Sequence, residues 1–233
     1  MCVSVSASAD EMESLAQDVF AQQKQAMIEH QIRARGITDS RVLDSLQKVP
    51  RHEFIPVSLR HEAYTDRPVA IGSGQTISQP YIVAYMLQAA AVGPSDLVLE
   101  IGTGSGYATA LLAELAKAVV SIERFPELGR GAAELLNRLG YTNVQIEIGD
   151  GTLGFPQRAP YDVIFISAAA PYFPPALLQQ LAIGGRMIIP VGDATNQELQ
   201  LVTNTPEGNV VRRLEGCRFV PLIGEEGFRT SFD

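Results

Sequence analysis

Cysteine is scarce in this chain of 233 residues: Cys2 and Cys217 stand near opposite ends, which is no disulfide framework and no thiolate metal cluster. Both are read as plain thiols. The three histidines, His30, His52 and His61, fall in the first third at spacings that match no ligand set, so no metal is assigned. No apolar run approaches the length that crosses a bilayer, which excludes a helical membrane span from the reading. The first ten residues carry neither a basic patch nor an apolar stretch, so no secretory signal is read and a cytoplasmic location is expected. Lys/Arg clusters are also missing, and a formal net charge of −8 opposes a phosphate backbone. Nucleic acid is therefore not an expected partner.

What is present is an ordinary globular composition, 46% hydrophobic and 19% charged, in a length that suits one main domain with a small appended region. Residues 12–35 favour helix with Gly36 placed to stop it, and Thr38 or Asp39 is set to cap a second helix through Lys48 before Pro50. Residues 51–75 mix Pro, His, Tyr and Gly without a period, and read as short helices and loops rather than sheet, with the character of a lid. Ser78 then looks like the cap of a helix that contains Pro80 in its first turn and closes at Gly93 and Pro94. Beyond this the pattern turns regular. Short apolar strands are expected at 97–101, 119–122, 144–148, 163–166 and 186–191, with helices at 106–117, 127–139 and 175–182, the last ending at Gly184 and Gly185. Segments 198–203 and 210–220, around Pro206-Glu207-Gly208-Asn209, read as an antiparallel hairpin. The expected fold is α/β: a doubly wound, mostly parallel Rossmann-like sheet with a C-terminal antiparallel hairpin and an N-terminal helical subdomain. The domain reading is an extension over 1–25, expected to be partly disordered, a helical or lid and substrate-binding region over 26–94, and a cofactor-binding core over 95–233.

The sharpest local signal is Val98-Leu99-Glu100-Ile101-Gly102-Thr103-Gly104-Ser105-Gly106, a buried strand entering a glycine-rich turn and then a helix. Glycines let backbone approach a ligand closely, and free amides at the helix start suit an anion such as a carboxylate. Tyr107 stands where the dinucleotide fingerprint places its last glycine, so the pattern departs from NAD binding. Strand-to-helix turns also contain glycine for structural reasons alone. Glu123, at the end of the next strand, can accept hydrogen bonds from both hydroxyls of a ribose, and is equally readable as a solvated acid at a strand end. Gly149-Asp150-Gly151, after the third strand, puts an acceptor where an adenine amino group could be met, though Asp-Gly is also a common turn. All three signals fall at carboxyl ends of adjacent strands, where ligands bind in open α/β sheets.

Their order, with Glu100 just before the glycines, resembles the S-adenosylmethionine site of class I methyltransferases. The resemblance implies that Gly102, Thr103 and Gly104 lie beside the methionine part, with Glu100 and Arg124 also in the cofactor site. It gives the ribose to Glu123 and the adenine to Asp150, with Gly151 beside the base. Upstream, Ala70-Ile71-Gly72-Ser73-Gly74-Gln75-Thr76-Ile77-Ser78-Gln79-Pro80 resembles the signature of the protein-L-isoaspartate O-methyltransferase family. Similar matches lie at Val49-Pro50-Arg51-His52-Glu53-Phe54, Tyr161-Asp162-Val163-Ile164, Ala168-Ala169-Ala170-Pro171 and Arg218-Phe219-Val220-Pro221-Leu222, in order from about Ile28 to Leu222. By this resemblance Ser78 is the active-site hydroxyl, Thr76 and Ile77 line the cofactor, and the activity is methylation of the free carboxylate of L-isoaspartyl residues, which starts repair through a succinimide. The implied cofactor is S-adenosyl-L-methionine, its product S-adenosyl-L-homocysteine, and the implied partners are isoaspartyl-containing proteins and peptides, met by a monomer. A carboxylate is ionised at neutral pH, so its methylation needs no general base. Arg218 reads as a solvated charge or as a partner for an acidic group on the peptide. Three alternatives stay open: a class I methyltransferase acting on another carboxylate or a small molecule, a non-catalytic cofactor-binding protein, and a nicotinamide dehydrogenase.

Overall fold

A computed structural model describes residues 9–229, with side chains described from Asp18 onward. Helix α1 (Ala9–Ala26) continues through a π-helical turn, Met27–Ile32, and a 3-10 turn, Arg33–Arg35. It stops at Gly36, whose φ of +91° is open to a residue without a Cβ. The disorder expected over 1–25 falls in part on residues 1–8, which lie outside the described residues; residues 9–25 are helical. Helix α2 (Ser40–Lys48) is capped by Asp39, whose carboxylate accepts the Arg41 amide at 2.9 Å, and it buries Val42, Leu43 and Leu46.

Residues 51–77 correct the expectation of helices and loops alone. Two 3-10 turns, Arg51–Phe54 and Val57–Glu62, are followed by a small antiparallel hairpin of β1 (Val69–Gly72) and β2 (Gln75–Ile77). Strands of four and three residues are too short for an alternating pattern to register. Helix α3 (Pro80–Ala90) follows, with Gln79 at the N-cap and no side-chain cap, so Ser78 is not the cap its position suggested.

The main sheet joins β3 (Leu97–Ile101), β4 (Ala118–Glu123), β5 (Val144–Ile148), β6 (Tyr161–Ile166), β7 (Leu181–Gly192), β8 (Gln197–Thr205) and β9 (Gly208–Cys217) in the order β5-β4-β3-β6-β7-β8-β9. The first five in that order are parallel, and β8 and β9 are antiparallel at one edge. Helices α4 (Tyr107–Leu115), α5 (Pro126–Arg138) and α6 (Pro175–Gln179) lie in the crossovers. β3 and β6 are apolar along almost their whole length because both faces of the sheet are covered, by two separate clusters of buried side chains. The chain runs outward from β3 to β5 and then returns to the other side of β3 as β6. A crevice therefore opens at the carboxyl ends of β3 and β6, where strand order reverses.

Two boundaries move. α6 ends at Gln179 and β7 already begins at Leu181, so Gly184 and Gly185 lie inside the strand rather than at a helix end. The Tyr161 amide donates to the Gln180 carbonyl at 2.8 Å, which draws this segment into pairing with β6, and a Cβ on Gly185 would stand 3.0 Å from the Tyr161 carbonyl. β9 ends at Cys217, and residues 218–220 leave the sheet to fold back across the crevice. Among the described residues no helix is long and apolar enough to cross a membrane.

Candidate active site

The glycine turn leaves β3 with Gly102, Gly104 and Gly106 at φ of +91°, +56° and +89°. At Gly106 a Cβ would also stand 3.2 Å from that of Ala132, so this glycine sets how closely α4 packs on α5. Three amides of the turn already have acceptors within the protein. Gly102 donates to the Ile122 carbonyl at 2.9 Å, Gly104 to Glu123 Oε2 at 2.8 Å and Gly106 to the Thr103 carbonyl at 2.8 Å. The reading of free amides is narrowed to this extent: the Gly102 and Gly104 amides hold the turn against β4, and the Gly106 amide closes the turn on itself.

Two carboxylates serve the turn in different ways. Glu123 is 5% exposed on the cavity wall, with Oε1 accepting the Phe125 amide at 2.9 Å. Each of its oxygens takes one donor from the chain, which leaves room for a second donor on each. Glu100 is fully buried and does not reach the cavity, which corrects its placement among the cofactor contacts. Its Oε2 accepts Thr109 Oγ1 at 2.5 Å and Ser121 Oγ at 2.6 Å, and Ser121 in turn meets the hydroxyl of Thr103 at 2.6 Å. Burial pushes the Glu100 carboxyl up to about 7, against the opposing pull of the two hydroxyls. Glu100 stands two places before Gly102, and its side chain faces α4 through Thr109.

Asp150 does not line the cavity either, whereas Gly151 does. The Asp150 carboxylate accepts Thr152 N at 2.9 Å and Thr152 Oγ1 at 2.7 Å through Oδ1, and the Glu225 amide at 2.8 Å through Oδ2. It thereby latches a C-terminal strap. Val220 accepts the Ala169 amide at 2.8 Å, Leu222 donates to the Ala169 carbonyl at 2.7 Å, and Val220, Pro221, Leu222 and Ile223 form one wall of the cavity. Thr76, Ile77, Gly102, Thr103, Gly104, Glu123 and Arg124 are among the residues on the other walls.

A second hollow, a groove, adjoins the cavity, lined by Arg35, Tyr81, Glu215, Arg218 and Phe219 among others. The two hollows share Thr76, Ser78, Ser167 and Val220. Ser78 Oγ makes no hydrogen bond among the described residues, and the Ser78 carbonyl is held by Arg51 Nη2 at 2.7 Å. Arg218 lies along the groove, exposed, and not on the cavity wall.

The model of the Protein-L-isoaspartate(D-aspartate) O-methyltransferase family matches residues 22–227. The chain belongs to this family. Among curated members it is 52% identical over 207 residues to protein-L-isoaspartate O-methyltransferase 2 of Marinobacter nauticus, covering 88% of this chain and 94% of that one. It is 50% identical over 209 residues to protein-L-isoaspartate O-methyltransferase 1 of Syntrophobacter fumaroxidans, covering 90% of this chain and 98% of that one. Among solved structures it is similar to a Plasmodium falciparum protein-L-isoaspartate O-methyltransferase in complex with S-adenosyl-L-homocysteine, with TM-score 0.75, 26% identity, and coverage of 88% of this chain and 98% of that chain.

Several wall residues of this family member were not read from its sequence. Phe125, Ser167 and Ile223 carry no motif chemistry, and they reach the cavity because strand ends and the strap converge there. Arg51 is different. It lies within a stretch that matches the family, yet nothing local says that it is fully buried beneath Ser78.

Proposed function

We propose that this chain transfers a methyl group from S-adenosyl-L-methionine to the free carboxylate of L-isoaspartyl residues in damaged proteins and peptides, which starts repair through a succinimide. One observation carries the reading. The cavity and the groove meet at Thr76, Ser78, Ser167 and Val220, none of them ionisable, so the junction suits an acceptor that arrives already as an anion. The cavity fits the cofactor: Glu123 offers two acceptor sites for a vicinal diol, and Ile122, Phe125, Leu222 and Ile223 offer apolar walls.

S-adenosylmethionine, when bound, supplies an electrophilic methyl carbon on a cationic sulfur. Gly102, Thr103 and Gly104 hold its amino-acid part in this reading, Glu123 its ribose and Gly151 the side of its base, with Thr76, Ile77 and Arg124 along the walls. Glu100 acts from behind, by fixing Ser121 and through it Thr103. Asp150 holds the strap by accepting the Glu225 amide, and it is the acceptor this reading assigns to the adenine amino group. Ser78 orients the acceptor oxygen by donating its hydroxyl hydrogen, and no residue needs to move a proton. The strap and β2 stand on the cavity walls, where they keep water from the two opposite charges that meet.

Residues 26–94 are assigned to the acceptor side and residues 95–233 to the cofactor side. The reading includes action as a monomer in the cytoplasm on protein and peptide substrates, without nucleic acid; the paucity of cysteine fits a reducing compartment. The test is methyl transfer from labelled cofactor to two synthetic peptides, identical except for L-isoaspartate in one and L-aspartate in the other. Base-labile label is expected on the isoaspartyl peptide alone. Cofactor binding with label on neither peptide overturns the substrate assignment and returns the chain to another acceptor or to a binding role.

A further inference from the structure

Arg51 is fully buried, and no carboxylate of the described residues pairs with it. Its Nε donates to the Ala63 carbonyl at 2.8 Å and its Nη2 to the Ser78 carbonyl at 2.7 Å, and its guanidinium carbon lies 4.6 Å from the centre of the Tyr107 ring. Removing a guanidinium from water is expensive, and an apolar side chain of similar volume would fill this space at lower cost. Stability alone therefore does not account for an arginine here. An apolar residue cannot do what the planar fork does, which is to hold two main-chain carbonyls of different segments at fixed angles while its face rests on an aromatic ring. The three segments joined are the end of the 3-10 region at Ala63, the extended residue Ser78, and the first residue of α4 after the glycine turn. Two of them, Ser78 and Tyr107, line the cofactor cavity.

We propose that Arg51 is a positioning residue for the methyl acceptor: it fixes the Ser78 backbone against the glycine-turn helix, and so sets where the Ser78 hydroxyl points. The proposal rests on the reading of Ser78 given above. Because Gln79 leaves α3 without a side-chain cap, no local bond of Ser78's own side chain fixes this segment, and the guanidinium contact takes that part.

The test is a double-mutant cycle on turnover of an isoaspartyl peptide at saturating cofactor, with Ser78→Ala and Arg51→Lys alone and together. Arg51→Lys keeps the charge and loses the fork, and is expected to lower kcat about 10-fold, less than loss of the hydroxyl itself in Ser78→Ala, while affinity for S-adenosyl-L-homocysteine, measured by calorimetry, stays within a few-fold. The double variant is expected to be no slower than the slower single variant, because both changes remove the same alignment. A cycle in which the two losses multiply overturns the proposal and makes Arg51 a support of the fold only. Unchanged turnover in Ser78→Ala overturns the Ser78 reading itself, and the proposal with it. Should Arg51→Lys fail to fold, Arg51→Met, which removes the buried charge and keeps the volume, enters the same cycle; wild-type turnover in that variant also overturns the proposal.

Discussion

The two walls of the cleft keep their shape by different means. On the cofactor wall the contacts are between neighbouring strands and the turns that leave them: Gly104 to Glu123, Gly102 to Ile122, Phe125 to Glu123. On the acceptor wall long side chains reach across the sequence to main chain. Arg51 binds Ala63 and Ser78, and behind that wall, outside the lining of either hollow, Gln88 accepts the amides of Thr38 and Asp39 at 2.7 and 2.9 Å. The comparison teaches that the cofactor wall belongs to the α/β alternation itself, whereas the acceptor wall hangs on a few side chains. Substitutions should therefore separate binding from turnover.

The largest effect is expected behind the cofactor wall. The Glu100 carboxyl is raised from 4.5 to about 7 by burial, so the folded state holds its proton where the unfolded state has lost it. The stability this contributes is fully present below the unfolded value and is lost as pH rises through the folded one. Urea unfolding of wild type should lose on the order of 2 to 3 kcal/mol between about pH 5 and 7.5 that Glu100→Gln does not lose. Parallel pH slopes in the two proteins would assign the ionisation to another group. Next, Glu123→Ala should weaken S-adenosyl-L-homocysteine binding about 100-fold by calorimetry, since hydrogen bonds to a charged acceptor are lost. Equal affinity would remove the ribose assignment. Ser78→Ala should lower kcat about 30-fold and leave cofactor affinity alone. The reverse pattern, weaker binding with normal turnover, would move Ser78 to the cofactor wall and break the comparison. The smallest effect is at the strap, where a Cβ on Gly224 would collide with Asp150 Oδ1. Gly224→Ala should loosen the latch and cost about 10-fold in cofactor affinity, with kcat little changed.

The same contrast explains what the sequence disclosed. β3, β4 and β6 announce themselves as apolar runs because they are buried along almost their whole length, β5 is a half-buried edge strand in which Val144, Ile146 and Ile148 alternate with polar residues, and Glu123 is found by its place at the end of β4. Gly36 and Asp39 are legible because helix ends are local events. Ser78 was open to two readings, and only its position in space, one residue before the uncapped Gln79, frees its hydroxyl from the helix. Glu100 and Asp150 sit at the right places in the chain and yet turn away from the cavity, because side-chain direction at a strand end depends on what packs beneath it. The bond from Arg51 spans 27 residues, and no period or motif encodes a contact of that kind.

The strap has a consequence for the order in which the protein is made. Val220, Pro221, Leu222 and Ile223 wall a cavity whose opposite wall is the glycine turn more than a hundred residues earlier. During synthesis the amino-terminal parts leave the ribosome first. A nascent chain that has already threaded out β3, β4 and β6 owns the turn and both acids, but its crevice has no roof. The cavity thus gains its roof only with the last residues of the strap, where the Phe228 amide donates to the Leu222 carbonyl at 2.7 Å.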